Sequence, residues 1–213
     1  MKIQKRTNSK QGFTLIEMIG VLAIIAILAS LLIPKVFQAI NDSRVNNTAT
    51  AVNTMKAAAA EHYGKWGKFC KDTTGTGLTN TVEIWDQAVL FAEQRVDRPF
   101  IVKIGDGAVG LAAGTGTRVR AVDISALTST STTGGAYNLD GNTPANDVTG
   151  AWLIEAVITG VAAQDAMDLN SRIDGIGTTL GAATLADADT AGRVRYAAPS
   201  GGVTEVHVYL THR

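Results

Sequence analysis

From Phe13 to Phe37 the chain has almost no polar positions, and Glu17 and Lys35 are its only charges. At 1.5 Å per residue a helix of this length spans roughly 37 Å, against roughly 30 Å of bilayer hydrocarbon. Residues 13–37 can therefore cross a membrane. Further along the pattern becomes one-sided. Val45, Val52, Ala59 and Trp66 recur at heptad spacing, Thr48, Met55 and His62 fill the intermediate steps, and Asn46, Asn53 and Lys56 fall on other faces. This predicts an amphipathic continuation of the same helix over 38–66, covering a globular head at 67–213. Gly64 and Gly67 mark its end.

The head alternates between helical and strand-like periods. A second helix is expected at 81–94, capped by Asn80 with Glu83 three residues on, burying Val82, Trp85, Val89 and Ala92. A third is expected at 162–174 from Ala162, Ala166, Leu169 and Ile173, ended by Gly175. Strand patterns cover Arg118–Ile124, Trp152–Thr159, Arg193–Ala197 and Val203–Thr211, with a turn at Ser200-Gly201-Gly202. In the last strand, Thr204, Val206, Val208 and Leu210 are the expected core face, which leaves His207 facing the surface. Long helix first and strands after predicts an α+β fold with a mostly antiparallel sheet. Residues 125–150, with Thr128–Thr133 at their start, read as a solvated loop by composition. Its Ser/Thr content makes this loop a candidate for glycosylation.

Charge changes the picture at the N-terminus. Lysines and arginines equal aspartates and glutamates overall. Yet Lys2, Lys5, Arg6 and Lys10 stand before the apolar run with no acid among them. That bias predicts that residues 1–12 stay in the cytoplasm and the remainder is exported. The rest of the chain is left with an excess of acid and no basic stripe, so nucleic-acid binding is not expected. Cys70 is the only cysteine, which excludes an intrachain disulfide.

Glu17 needs its own explanation, because a carboxylate in a membrane helix is costly. A secretory signal peptide has a shorter apolar stretch followed by a small-residue cleavage site, whereas this run ends in Ile33-Pro34-Lys35-Val36. A plain signal anchor accounts for the length and the bases but not for the acid. Cleavage at Gly12-Phe13 keeps the apolar run intact and frees an amine at Phe13, within about a turn of Glu17. A buried carboxylate needs such a cationic partner.

At these residues the sequence resembles the type IV pilin and pseudopilin family. The match lies in Gly12-Phe13-Thr14-Leu15-Ile16-Glu17, the apolar run and Pro34, behind a basic leader. It covers residues 1–37 closely and the next thirty or so by pattern alone. The resemblance implies that Gly12 is the cleavage residue of a prepilin peptidase and Phe13 the methylated N-terminus. It implies that Glu17 pairs with the N-terminus of a neighbouring subunit during assembly, and that Pro34 loosens the helix. The pilin fold it implies is a long helix packed on a mostly antiparallel sheet.

Other chemistry finds little support in the sequence. GDGAVG at 105–110 fits a dinucleotide fingerprint, but Gly114 and Gly116 interrupt any following helix, so turns are expected and no cofactor. His62, His207 and His212 lack close metal-ligand spacing and Cys70 has no nearby partner, so no metal site is expected. Asp140, Asn142 and Asp147, or Asp187 and Asp189, offer oxygens suited to calcium but form no complete EF-hand loop, and ordinary turn acids are the expectation. No G-x-S-x-G marks a nucleophile.

The reading is therefore a non-enzymatic major pilin. It is a single-pass inner-membrane precursor that enters a homo-oligomeric surface filament through prepilin peptidase and inner-membrane assembly machinery. A periplasmic pseudopilin of type II secretion is the alternative. The processed length and the Ser/Thr-rich stretch lean towards a pilin, whereas the lone Cys70 departs from the two-cysteine loop common in pilins. A membrane-tethered enzyme on the same anchor is the alternative from another class.

Overall fold

A computed structural model of the chain describes residues 12–69, 81–112, 114–124, 137–140, 147–148, 150–175 and 184–213. The chain divides into two compact units, Met1–Asn41 and Asp42–Arg213. Helix α1 (Leu15–Trp66) runs through the boundary and continues without a break across Pro34. In the first unit its apolar side chains are exposed, among them Leu15, Ile19, Leu22, Leu28, Leu31 and Phe37.

The second unit is α+β. Its strands are β1 (Arg118–Asp123), β2 (Trp152–Ala162), β3 (Val194–Tyr196) and β4 (Val203–His212), and α2 (Ala163–Ile173) follows β2 directly. They form one four-stranded sheet in the order β1-β2-β4-β3. Every pairing in it is antiparallel. The later part of α1 presents Val45, Thr48, Val52, Met55, Ala58, Ala59 and His62 as its buried stripe. Of these, Val45, Val52, Met55, Ala58 and Ala59 pack into one core with Ile154, Ala156 and Ile158 of β2 and Val206, Val208 and Leu210 of β4. Each fully buried aliphatic side chain of this kind contributes about 1.5–3 kcal/mol before chain entropy is counted. Trp66 sits at the edge of the stripe, half-buried. Gly67 ends the helix with φ +69°, and its N–H donates to the Tyr63 carbonyl at 2.7 Å.

The expected strands and the helix at 162–174 are present, and Gly175 follows α2 with φ +89°. The turn at Ser200-Gly201-Gly202 joins Ser200 to Val203, and both glycines adopt positive φ. The helix expected at 81–94 is not formed as such. Val82 instead bridges Ala121 beside β1, and only Asp86–Phe91 is helical, as a π turn. The reason is long-range. The buried Asp86 carboxylate accepts hydrogen bonds from the N–H groups of Phe100 (2.8 Å) and Val119 (3.1 Å), which ties this turn to two distant segments. Trp85 and Val89 are buried as expected, whereas Ala92 is exposed and Val82 half-buried. Asn80, Cys70, Asn142 and most of 125–150 lie outside the described residues.

Candidate functional site

The first candidate site is the start of α1. Gly12 and Phe13 precede the helix, and Phe13 is 82% exposed. Thr14 occupies the N-cap position and Glu17 the third helical position. The Glu17 carboxylate accepts hydrogen bonds from the Thr14 N–H and the Thr14 hydroxyl, both at 2.8 Å. In return the Glu17 N–H donates to the Thr14 hydroxyl oxygen at 3.3 Å. This is a reciprocal capping box, which satisfies N–H groups that a helix start leaves without intrahelical partners. The signal for it, Thr-x-x-Glu before an apolar run, was present in the sequence. Within this chain, then, Glu17 has Thr14 as its partner. Pro34 removes the donor that the Ser30 carbonyl would receive, while the Ser30 hydroxyl donates to the Ile27 carbonyl at 2.8 Å.

The second site lies on the face of the sheet away from α1. Antiparallel register places Arg120 of β1 opposite Glu155 of β2, and Arg195 of β3 opposite His207 of β4. A register shift between Ile154 and Glu155 accompanies this row. The Arg120 guanidinium lies 2.5 Å from the Glu155 carboxylate. The Tyr137 hydroxyl donates to the other Glu155 oxygen at 2.6 Å. His207 Nδ1 lies 3.5 Å from Glu155, and His207 Nε2 lies 3.0 Å from Glu205. Glu83 pairs with Arg118 at 3.0 Å and with Arg120 at 3.5 Å. Tyr137, Val122, Val148 and Leu153 form a small apolar cluster beside the row.

Burial and pairing set the charges here. Burial acts to raise the Glu155 pKa, but the His207 charge and Arg120 outweigh it and hold the carboxyl at about 2. Burial pushes the Tyr137 hydroxyl well above its ordinary value, and the Glu155 charge pushes it further. Asp86, by contrast, has backbone donors and, among the described residues, no paired cation, and burial raises its carboxyl.

His207 was expected on the surface and is 1% exposed. Strand alternation gave its face correctly, but that face is covered and charged. His62 is likewise buried, 3.0 Å from Glu93 and edge-on to Trp85. The Trp66 indole N–H donates to the same Glu93 carboxylate at 2.6 Å. GDGAVG is irregular rather than a regular turn: Gly105 bends the chain, Gly105 and Gly107 have positive φ, and Val109 bridges Thr117. Asp147, Asp187 and Asp189 each accept backbone N–H bonds from nearby residues, as turn acids do. Among the described residues no cluster of three or more histidine, cysteine or acidic side chains could hold a metal ion.

A helix apolar on every side, opened by this capped carboxylate and leading into a four-stranded antiparallel sheet, defines a pilin-like protein. The family model described as the prokaryotic N-terminal methylation motif matches residues 7–33. The chain is also similar to the fimbrial protein EcpC of Eikenella corrodens, 33% identical over 73 residues, which cover 34% of this chain and 48% of that protein. The chain thus spans about half the length of the curated relative it matches. No solved structure matches the chain. Motif and relative are together consistent with the type IV pilin family.

Proposed function

We propose that this chain is a structural subunit, of the major-pilin kind, of a type IV pilus-like helical filament. Residues 1–12 act as the cytoplasmic leader. A prepilin peptidase cuts between Gly12 and Phe13, and the new Phe13 amine is methylated. Until assembly, residues 13–37 hold the subunit in the inner membrane as a single span, and the assembly machinery there then moves it into a cell-surface filament. Pro34 is the point at which the helix yields.

The observation that carries this reading is the apolar half of α1, whose large hydrophobic side chains are exposed among the described residues. Outside lipid, such a surface is stable only against other apolar surfaces. Copies of the same helix supply one on every side, and repeated contacts that do not close produce a filament. Gly12 supports the processing step. A Cβ built there would meet nothing within 4 Å among the described residues, so no packing there calls for glycine.

Glu17 then changes partners. Its hydrogen bonds to Thr14 satisfy it in the isolated subunit. Between packed helices an ionised carboxylate also needs a cation within reach. The amine of Phe13 on an adjacent subunit provides one, since no Lys or Arg lies between Phe13 and Pro34.

Glu17→Gln tests this, because glutamine keeps the size and can still accept from Thr14. The variant is expected to insert and be cleaved normally while filament yield falls about tenfold or more, as for the loss of one buried charge pair. Normal yield would show that charge pairing is not what Glu17 contributes. Filaments confined to the periplasm would assign the chain to the pseudopilins of type II secretion instead.

A further inference from the structure

We propose that His207 is a proton-dependent tie on the outer face of the sheet. As an imidazolium it is clamped between Glu155 and Glu205 and fastens β4 to β2 beneath Tyr137; on losing its proton it releases that fastening.

A carboxylate stands beside each nitrogen of one buried ring. Nδ1 lies 3.5 Å from Glu155 and Nε2 3.0 Å from Glu205, as ion-pair contacts in which neither ring nitrogen is aligned for a hydrogen bond. A neutral imidazole has one N–H and one lone pair, so one carboxylate would face a lone pair. Only the doubly protonated ring suits both neighbours. At 1% exposure the ring has almost no contact with solvent that could replace a lost partner.

Charged groups approach from every side. Glu155 comes from β2, already bound by Arg120 of β1 and by the Tyr137 hydroxyl. Arg195 of β3 stands opposite His207 in register and holds its guanidinium 5.4 Å from the centre of the Tyr137 ring. Asp189 acts on Arg195. Glu205 and Tyr209 share the His207 face of β4, and Arg118 and Arg120 act on Glu205. Glu83 holds both of those arginines. Burial lowers the His207 pKa and Arg120 lowers it further, but the Glu155 and Glu205 carboxylates outweigh them and raise it.

The two carboxylates differ in freedom. The Glu155 side chain is sealed, whereas that of Glu205 is 40% exposed. When the proton leaves, Glu205 can turn to water while Glu155 stays with Arg120 and Tyr137. The contact that joins the middle of β4 to this row is then lost.

The sign of the pH effect follows. A raised histidine pKa gives stability that is fully present below the free imidazole value, about 6.5, and is lost as pH rises through the folded value. Hydrogen exchange on the full chain in detergent micelles, corrected for intrinsic rates, reads this directly. Protection of β3 and β4 should fall by up to about tenfold per pH unit between those two values and then level off. Glu205→Gln, at a partly exposed position, should fold and level off at a lower pH. His207→Gln should show no such fall. NMR titration of the His207 ring gives an independent reading and stands even if His207→Gln fails to fold. A ring that titrates at or below the free imidazole value would overturn the proposal, as would the same alkaline loss in His207→Gln.

Discussion

The two halves of α1 share one backbone geometry and differ in what covers their side chains. Between Leu15 and Ile40 the apolar residues point in every direction and all but Ala29 are exposed. Between Val45 and His62 they form a stripe, and that stripe is buried in the core of the head. Helical period alone therefore separates a surface buried in the head from one left exposed. Two carboxylates repeat the contrast. Glu155 is enclosed and has Arg120, Tyr137 and His207 around it. Glu17 is exposed and has Thr14.

The largest stability effect should come from the covered half. Met55→Ala removes a buried side chain from the stripe and should cost the head about 2–5 kcal/mol, read as a lower denaturation midpoint. A loss no larger than that of a surface substitution would mean that the stripe is not core.

A smaller effect should appear on acidification. The Glu155 carboxyl is depressed in the folded head, from an ordinary value of 4.5 to about 2. Its contribution is present above the unfolded value and is lost as pH falls through the folded one. Acid unfolding followed by circular dichroism should therefore show a stability loss across that window. Glu155→Gln should be less stable at neutral pH and lack this part of the acid dependence. An unchanged acid profile in the variant would place the carboxylate outside the stabilising row.

The smallest effect belongs to the uncovered half. Ile24→Ala should leave the melting of the head unchanged within about 0.5 kcal/mol, because Ile24 belongs to the other compact unit and is exposed. A clear shift would join what the comparison separates.

Much of this was legible in the sequence because it depends on local period. The stripe from Val45 to His62, the alternation of β4 and the break at Gly175 all follow from spacing within one element. The features missed depend on partners far along the chain. Asp86 draws its turn into a π form through Phe100 and Val119, which no window around residues 81–94 contains. His207 becomes buried because β2 and β4 align Glu155 beside it and Tyr137 covers the row. A register shift next to Glu155 hides that alignment from strand patterns. At the N-terminus the resemblance pointed to Glu17 and its intersubunit partner. The bonds to Thr14 are local, and the Thr-x-x-Glu spacing alone predicts them.

The central claim is that the apolar half of α1 leaves the bilayer for a bundle of its own copies after cleavage at Gly12. Intact mass and N-terminal sequence of the subunit in filaments sheared from the cell surface test it most directly. The account predicts filaments built from this chain, beginning at Phe13 with a methylated amine. A subunit still beginning at Met1, or a chain that stays wholly in the membrane fraction while any filaments present lack it, would contradict it.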